Sequence, residues 1–345
     1  MSENTRKAVV LFNLGGPDSL KAVQPFLFNL FHDPNIIDLP QPFRYILAKI
    51  ISIFRNKKAQ HIYSLMGGKS TILEETARQA ASLENYLKIY GEKNIKVFFC
   101  MRHWHPMSEE VIKSLEEYDP SQLILLPLYP QFSTTTTKSA IEYFVQKAAK
   151  GKLKAVQRNV ICCYPDDVNF ISAHVKLIQE ALSGLNNYKI LFSAHGLPEK
   201  IIEKGDPYQW QIEKTVNTIV ESLGVADLDY KITYQSRVGP VKWLLPNTED
   251  EILTVAKEIK NIVIVPISFV SEHSETLVEL DIEYKNLVND FDIVYKRVKT
   301  LGIDELYIKS LGELVKKTLG SDIAVASSDG TRKCPVDFSK CPCKM

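Results

Sequence analysis

The alternation of strand-length and helix-length apolar patterns along this chain limits the folds that it can adopt. Eight apolar runs have the length of buried strands. They occupy residues 9–13, 97–101, 123–127, 160–163, 190–194, 232–235, 262–267 and 293–295. Segments with helical periodicity lie between most of them, as at 72–87, 168–182, 210–223 and 304–319. This alternation predicts β-α-β units and therefore parallel sheets covered by helices.

The eight runs fall into two groups of four, which favours two similar α/β domains. A chain of 345 residues with 45% hydrophobic content is long enough to bury two cores. We predict a first domain over residues 1–160, a second over 161–310, and a last helix with its tail over 311–345. The connection between the first two runs is long, and its residues near 40–70 are expected to form the lip of a pocket.

Charge and composition exclude several classes of function. Lys and Arg total 42 and Asp and Glu total 41, so a net charge of +1 gives no global field that would favour nucleic acid or an anionic membrane. The N-terminus has no apolar signal segment and no run approaches the length that spans a bilayer, which predicts a cytoplasmic location. Six cysteines in such a chain are expected to be reduced thiols or metal ligands.

Two glycine-bearing segments come close to nucleotide-binding motifs without matching them. Asn13-Leu-Gly-Gly-Pro17 follows the first run but lacks the glycine spacing of a dinucleotide site. Gly67-Gly-Lys-Ser-Thr71 ends like a P-loop, yet Tyr63 stands where the first glycine of that motif should be. We therefore expect no bound nucleotide.

The segment 44–54 has an apolar stripe at helical spacing. Its members are Ile46, Leu47, Ile50, Ile51 and Phe54. Most stripes of this kind are packed in a core. The alternatives are the lip of a pocket for a flat apolar ligand or a contact with a membrane surface.

Four glutamates lie on one face of a predicted helix directly after the seventh run. They are Glu272, Glu275, Glu279 and Glu283, and residues 271–284 contain no lysine or arginine. Stacked like charges at this spacing destabilise a helix. A solvated acidic face is the ordinary interpretation of such a pattern. The position at the end of a buried strand favours a site that binds a cation or collects protons instead.

His195 occupies the corresponding position after the fifth run, within Ser193-Ala-His-Gly-Leu-Pro198. A lone histidine is usually structural, but two strand ends of one parallel sheet can face a common cleft. An imidazole and a carboxylate that meet there can bind a divalent metal and accept protons.

Other polar and aromatic residues follow the second and third runs. The same reasoning places Arg102 and Tyr129 in the cleft. His103 and His105 could form a metal pair, although histidines in such positions more commonly only hydrogen-bond. His174 lies in an apolar helical stretch and is predicted to be a packed helix residue.

The C-terminal tail carries three clustered cysteines. Cys334, Cys341 and Cys343 form the pattern C-x6-C-x-C. Structural zinc and a 2Fe-2S cluster both need four ligands, and the fourth would be Cys162 or Cys163 at the end of the fourth run. A tail that binds no metal is the third alternative.

The chain resembles the ferrochelatase family over nearly its whole length. Several motifs stand in the order and spacing of that family. They are Leu11-Phe-Asn-Leu-Gly-Gly-Pro17, Gly67-Gly-Lys-Ser70, Ser193-Ala-His-Gly-Leu-Pro198, Gly205-Asp-Pro-Tyr208, Gln235-Ser-Arg-Val-Gly-Pro240 and His273-Ser-Glu-Thr-Leu-Val-Glu-Leu-Asp281. The resemblance implies two Rossmann-like, chelatase-type domains with a porphyrin cleft between them. It also implies a lyase that inserts Fe2+ into protoporphyrin IX with release of two protons, the last step of haem biosynthesis.

The resemblance assigns roles to particular residues. It implies that His195 and Glu275 form the metal site and accept protons, and that Glu279 and Glu272 relay protons or guide the metal. The positions that match those lining the macrocycle are Leu14, Tyr129, Trp243 and Phe269, with Arg55 and Arg102 as cations near the propionates.

The resemblance leaves alternatives for the substrate, the tail and the location. Animal family members place one iron-sulfur cysteine in the stretch that corresponds to 132–135, which has none here. The tail is similar instead to that of a bacterial subset with a 2Fe-2S cluster, which implies Cys162 or Cys163 with Cys334, Cys341 and Cys343 as ligands. Coproporphyrin III is the alternative substrate, and a haem- or metal-binding protein without catalysis is the alternative class. Peripheral contact with the inner membrane is a further expectation.

Overall fold

The chain folds into two compact units, each of which contains one parallel sheet. The computed structural model describes residues 6–343. The first unit comprises residues up to Cys163, then Leu311–Thr331 and the end of the tail from Pro342. The second unit comprises Tyr164–Ser310 and Arg332–Cys341. The last helix therefore begins in the second unit and ends in the first.

The first sheet has five parallel strands in the order β2-β1-β3-β4-β9. These are β1 Lys7–Asn13, β2 Ile95–Met101, β3 Gln122–Pro127, β4 Gln157–Cys163 and β9 Val325–Ser327. One face of the sheet packs Val10 and Leu125 against Leu115 and Phe144 of two helices. Strands buried on both faces explain why their sequences are nearly continuous apolar runs.

The second sheet has four parallel strands in the order β6-β5-β7-β8. These are β5 Tyr188–His195, β6 Tyr230–Gln235, β7 Asn261–Pro266 and β8 Tyr295–Arg297. Leu191 and Ile264 pack against Ile252 of one helix and Leu280 of another. The central position of β5 places its last residue, His195, between the ends of two neighbouring strands.

Ten α-helices, two π-helices and two short 3-10 helices connect the strands of the described residues. The α-helices are α1 Val23–Phe31, α2 Phe43–Ser64, α3 Ile72–Ile89, α4 Ser108–Tyr118, α5 Ser139–Ala148, α6 Val168–Leu182, α7 Glu199–Glu203, α8 Tyr208–Leu223, α9 Thr248–Lys257 and α10 Glu305–Leu319. The π-helices are Thr134–Lys138 and Glu275–Tyr284, and the 3-10 helices are Leu20–Ala22 and Lys152–Ala155.

The predicted α/β fold with parallel sheets flanked by helices is confirmed. All eight apolar runs overlap strands, and the four predicted helical segments become α3, α6, α8 and α10. The eighth run, 293–295, begins two residues before its strand and shares only Tyr295 with it, because the observed β8 is Tyr295–Arg297. Strand β9 has only three residues and was not predicted, because so short a run carries little periodicity.

The apolar stripe of 44–54 lies on the long helix α2 and is not packed as a core face. Ile46 and Ile50 are 51% and 46% exposed, and Phe54 is 82% exposed. The commoner interpretation of the stripe, a core face, is therefore wrong for these three residues. Within residues 6–343 no helix combines the length and the apolar content that crossing a bilayer requires.

Candidate active site

Three strand ends bring the predicted polar residues to one edge of the second sheet. His195 is the last residue of β5 and stands in register with Gln235, the last residue of β6. β7 ends at Pro266, and the π-helix that follows it begins at Glu275. Because carboxyl ends of parallel strands form the ligand-binding edge of α/β sheets, this edge is the candidate site.

His195 and Glu275 are in direct contact. The Nδ1 atom of His195 lies 2.7 Å from Oε2 of Glu275. A carboxylate accepts and does not donate, so Nδ1 carries a proton and Nε2 is left as the second nitrogen of the ring. The His195 side chain is 38% exposed and that of Glu275 is 23% exposed. Nε2 of a neutral His195 can therefore accept a proton or bind a metal at a solvent-accessible position.

The backbone around His195 is fixed by neighbours from other elements. Its N–H donates to Oγ of Ser268 at 3.0 Å, and the hydroxyl of Tyr208 donates to its carbonyl oxygen at 3.0 Å. Gly196 follows directly, and a Cβ there would lie 2.8 Å from the carbonyl oxygen of Gln235 and 3.4 Å from Trp243. The site therefore needs glycine at 196, because any side chain would separate β5 from its neighbours.

Burial and charge act in opposite directions on the His195 and Glu275 pair. Burial lowers the pKa of His195, but the charge and hydrogen bond of Glu275, with the charge of Glu279, outweigh it and raise that pKa above its usual value. Burial raises the pKa of Glu275, but His195, His273 and Ser236 outweigh it and hold that pKa well below its usual range. Each of the two groups therefore stabilises the charged form of the other.

Glu279 lies one turn further along the π-helix and has a different environment. Its Oε1 accepts from the backbone N–H of Ser236 at 3.0 Å and from the hydroxyl of Tyr284 at 2.9 Å. Its Oε2 accepts from Nε2 of Gln235 at 3.1 Å and contacts Oγ of Ser236 at 2.6 Å. Burial first, and then the charge of Glu275, raise the pKa of Glu279. Glu279 is thus a better proton holder than an ordinary glutamate.

Arg297 is the cation that the acidic segment needs. Its Nη1 donates to Oε1 of Glu272 at 2.6 Å, and its Nε donates to Oδ1 of Asp281 at 2.8 Å. The Arg297 side chain is 9% exposed. Burial raises the pKa of Glu272, but the charge of Arg297 outweighs it and lowers that pKa. Glu272 is therefore an ion-paired carboxylate beside β8.

The four glutamates do not share one environment. The helix is a π-helix from Glu275 to Tyr284, whereas the sequence pattern was interpreted with α-helical spacing from Glu272 onward. Glu272 precedes the π-helix and pairs with Arg297, and Glu283 is exposed. Only Glu275 and Glu279 point to the same group, Ser236. π-helical turns occur frequently at functional sites, which agrees with this placement.

Two further rings surround the pair. Phe269 lies 6.4 Å from the ring centre of His195 and 4.8 Å from that of His273. His273 is buried, and its Nδ1 lies 3.0 Å from the carbonyl oxygen of Ser271 while its Nε2 lies 4.0 Å from Oε1 of Glu275. His273 therefore adds a second imidazole within electrostatic range of Glu275.

The comparison with protein families decides the assignment. The family model described as Ferrochelatase matches residues 6–319. The chain belongs to the ferrochelatase family. It is 55% identical over 341 residues to a ferrochelatase of Rickettsia bellii, covering 98% of this chain and 95% of that protein. It is 49% identical over 340 residues to a ferrochelatase of Pelagibacter ubique, covering 98% of each.

These similarities confirm the predicted ferrochelatase family and the predicted enzyme class, a metal chelatase of haem synthesis. The solved structure of SirB from Bacillus subtilis with Fe3+ is similar to this family member in fold. It has a TM-score of 0.53 at 15% identity, covering 91% of this chain and 96% of that protein. At that identity the likeness supports the α/β architecture alone.

The six residues that the ferrochelatase resemblance places around the macrocycle are all half-buried. Leu14, Arg102 and Tyr129 come within two residues after β1, β2 and β3 of the first unit. Arg55 lies on α2, with its guanidinium 5.6 Å from the ring centre of Phe31. Trp243 and Phe269 belong to the second unit, where the backbone of Trp243 forms an isolated antiparallel β-bridge with that of Pro198.

Arg102 is held by a buried acid, Asp33. Its Nη2 lies 2.9 Å from Oδ2 of Asp33, its Nε donates to Ser139 at 2.8 Å, and its guanidinium lies 4.2 Å from the ring centre of Tyr143. These residues line a cavity of about 590 Å³ within the first unit. Arg102 therefore has its charge compensated by Asp33.

The neighbouring histidines do not form a pair. Nε2 of His103 lies 3.8 Å from Oδ2 of Asp33, and burial, followed by the charge of Arg102, lowers the pKa of His103 to about 3. His105 is exposed and contacts Glu110 at 2.7 Å through Nδ1. The two rings therefore have different partners. His174 is buried on α6 against Phe170, as the helical pattern predicted.

The predicted iron-sulfur cysteines are all buried. Within the first unit, Sγ of Cys162 lies 3.2 Å from Sγ of Cys343 and 3.5 Å from Sγ of Cys163. Within the second unit, Cys334 accepts from Nε2 of Gln211 on α8 at 3.1 Å. Across residues 6–343 no three histidine, cysteine, aspartate or glutamate side chains have the arrangement of a metal site.

Three residues of the site were not selected from the sequence. Ser236 and Tyr208 lie inside motifs that carried the family resemblance, so those motifs were the signal for them. Arg297 is the last residue of the short strand β8, and only the pairing of β8 with β7 brings it to Glu272. Local sequence held no signal for Arg297.

Proposed function

We propose that the His195 and Glu275 pair is the centre at which the chain inserts Fe2+ into protoporphyrin IX to give protohaem. The observation that carries this proposal is the 2.7 Å contact between Nδ1 of His195 and Oε2 of Glu275. That contact leaves Nε2 of His195 for the substrate. The predicted metal-binding pair, His195 and Glu275, and the predicted proton acceptor Glu279 thus lie in one hydrogen-bonded group.

The chemistry requires two protons to leave the porphyrin as Fe2+ enters. A neutral imidazole can accept a pyrrole proton at Nε2, and the Glu275 carboxylate stabilises the imidazolium that forms. A carboxyl group whose pKa is raised by burial and by the charge of Glu275, as that of Glu279 is, holds a proton more readily than an ordinary glutamate. The site therefore offers a place for each proton without help from a nucleotide or another cofactor.

The macrocycle is proposed to contact Leu14, Tyr129, Trp243 and Phe269, with Arg55 as the cation nearest to a propionate. Half-buried aromatic and aliphatic side chains suit a flat apolar ring, and a guanidinium suits a carboxylate. Arg102 is proposed to act beside them, with its charge already paired to Asp33. A comparison of iron insertion into protoporphyrin IX and coproporphyrin III tests the substrate, and faster turnover of coproporphyrin III would overturn this choice.

We propose in addition that the tail cysteines hold a 2Fe-2S cluster with Cys162 as the internal ligand. The donor set fits, because a cluster of this kind is bound by four cysteine thiolates and five cysteines are buried here. The 3.2 Å contact of Cys162 with Cys343 favours Cys162 over Cys163, whose Sγ lies 3.5 Å from that of Cys162. Cys334, Cys341 and Cys343 would supply the other thiolates. Such a cluster would be redox-active, and it would fix the C-terminal tail to the end of β4.

Replacing Cys162 with serine is expected to remove the cluster, because one of four thiolates is lost. Protein purified without oxygen should be brown and absorb visible light, and Cys162→Ser and Cys341→Ser should be colourless with no bound iron. Cys163→Ser is the matched control and should keep the colour. A colourless wild-type protein that contains zinc, or loss of colour in Cys163→Ser but not Cys162→Ser, would contradict the assignment.

We propose that α2 lies on the surface of the inner membrane from the cytoplasmic side. The helix exposes Ile46, Ile50, Ile53 and Phe54. Its 22 residues contain lysines and arginines but no aspartate or glutamate. An exposed apolar stripe on a basic helix is typical of segments that bind anionic lipid surfaces.

The double variant Ile50→Glu with Phe54→Glu is expected to bind vesicles that contain anionic lipid at least about tenfold more weakly, because burying each apolar side chain contributes about 1.5–3 kcal/mol. Co-sedimentation with vesicles measures the difference. Ile89→Glu is the matched control, because Ile89 is 67% exposed on another helix. Equal binding of the double variant and the wild type to these vesicles would contradict the membrane proposal.

A further inference from the structure

Ser236 occupies a position between the two carboxylates of the candidate site. It follows β6 directly, and its Oγ lies 2.9 Å from Oε2 of Glu275 and 2.6 Å from Oε2 of Glu279. Both contacts have hydrogen-bond length. Nothing in the spacing of the two glutamates requires a hydroxyl between them, so its placement calls for an explanation.

The backbone at Ser236 is held in an unusual conformation. Its φ of 64° lies in the left-handed region, which side chains other than glycine, asparagine and aspartate rarely adopt. The N–H of Ser236 donates to Oε1 of Glu279 at 3.0 Å, which fixes the turn against the π-helix. A strained residue that persists at a site is a reason to look for a function of its side chain.

The hydroxyl can pass protons between the two carboxyl groups. A serine hydroxyl has one proton to donate and lone pairs that accept another. A proton on Oε2 of Glu275 can move to Oγ of Ser236 while the proton of Ser236 moves to Oε2 of Glu279. One O–H bond breaks at Glu275, one forms at Glu279, and the serine is unchanged. No other reactant is needed.

We propose that Ser236 is a positioning residue that orients Glu275 and Glu279 and links them for proton transfer. The link begins at His195, whose Nδ1 contacts the same Oε2 atom of Glu275. It ends at Glu279, whose Oε1 is held by Tyr284 and by the backbone of Ser236. The inference rests on the proposed function of His195, and it adds the route by which a proton leaves the centre.

Ser236→Gly tests the link directly. Glycine adopts a φ of 64° without strain and keeps the backbone N–H, so the variant removes the CH2OH side chain and leaves the turn intact. We expect iron insertion in a single turnover to slow by at least about tenfold, with little change in the KM for porphyrin. Ser236→Ala should show the same slow step. A rate within about twofold of wild type in Ser236→Gly would overturn the link.

The solvent isotope effect separates proton transfer from a merely structural role. In mixtures of light and heavy water, a plot of the wild-type rate against the fraction of heavy water should be curved, because two protons move together through Ser236. In Ser236→Gly the dependence should be linear. Ser274→Ala is the matched control, because Ser274 precedes the same helix and its side chain makes no cap hydrogen bond. A curved dependence that persists in Ser236→Gly would contradict the proposal.

Glu279→Gln identifies the end of the link. If Ser236 acts through Glu279, Ser236→Gly combined with Glu279→Gln should be no slower than the slower single variant. Full addition of the two losses would overturn the link. His195→Ala keeps this test distinct from that of the proposed function: unchanged insertion in Ser236→Gly with abolished insertion in His195→Ala rejects the link alone.

Discussion

Replacing His195 with alanine is expected to lower the rate of iron insertion by about 10²–10⁴-fold, the range typical for loss of a positioned proton acceptor. The variant removes Nε2, the ring nitrogen proposed to accept the proton, and it leaves Glu275 without its 2.7 Å partner. Porphyrin binding should change little, because Trp243, Phe269 and the proposed contacts of the first unit are kept. The loss should therefore fall on kcat rather than on KM.

A stopped-flow assay of insertion and a fluorescence titration with porphyrin measure the two quantities separately. His105→Ala is the matched control, because His105 is exposed and contacts only Glu110 among the recorded hydrogen bonds. It should insert iron at the wild-type rate. Insertion by His195→Ala at a rate close to wild type would show that the centre is elsewhere. A wild-type protein that binds porphyrin but never inserts iron would favour the non-catalytic class.

Replacing Arg297 with alanine is expected to destabilise the second unit by up to about 3 kcal/mol, because removal of the arginine leaves two half-buried carboxylates without a counter-charge. Glu272 and Asp281 are 21% and 35% exposed, and the greater exposure of Asp281 moderates the cost. The guanidinium binds both carboxylates at once, which lysine cannot reproduce. The free energy of unfolding of Arg297→Lys should therefore lie between those of the wild type and Arg297→Ala.

Urea unfolding followed through the tryptophans of the second unit, Trp210 and Trp243, measures this loss. The double variant Arg297→Ala with Glu272→Gln should recover part of the stability, because one uncompensated charge is removed with the arginine. A loss below about 0.5 kcal/mol in Arg297→Ala, the usual size of a surface substitution, would show that the acidic segment is stabilised by solvent instead.

The strands and the position of His195 could be predicted from the sequence because both depend on local patterns. Buried parallel strands are continuous apolar runs, and the runs of β5 and β7 are visible in the sequence as 190–194 and 262–267. His195 ends β5, and Glu275 begins the helix after β7, so the strand order places both residues at the same edge of the sheet. The 2.7 Å contact between them is a finding of the structure, because the loop between β7 and Glu275 carries no local pattern that would fix it.

Neither the partner that compensates the charge of the acidic segment nor the helical geometry of that segment could be predicted in this way. Arg297 comes from a strand whose three residues are only half-buried, and no local period connects it to Glu272. The π-helical turn depends on packing of the segment against its neighbours, which spacing analysis with an α-helical period cannot detect. Ser236 was visible only as a motif member, since its left-handed backbone is a tertiary feature.

The pH dependence of kcat/KM in Glu275→Gln tests the proposed centre most directly. In the proposed mechanism insertion needs a neutral His195, so activity should rise with pH through the pKa of that ring, which the charge of Glu275 raises above its usual 6.5. Glutamine removes the charge and lowers the pKa of His195. The rising limb should therefore move to lower pH, with a reduced maximum. Glu283→Gln, at an exposed position of the same helix, should leave the limb in place. A limb that stays at the wild-type pH in Glu275→Gln would contradict the account.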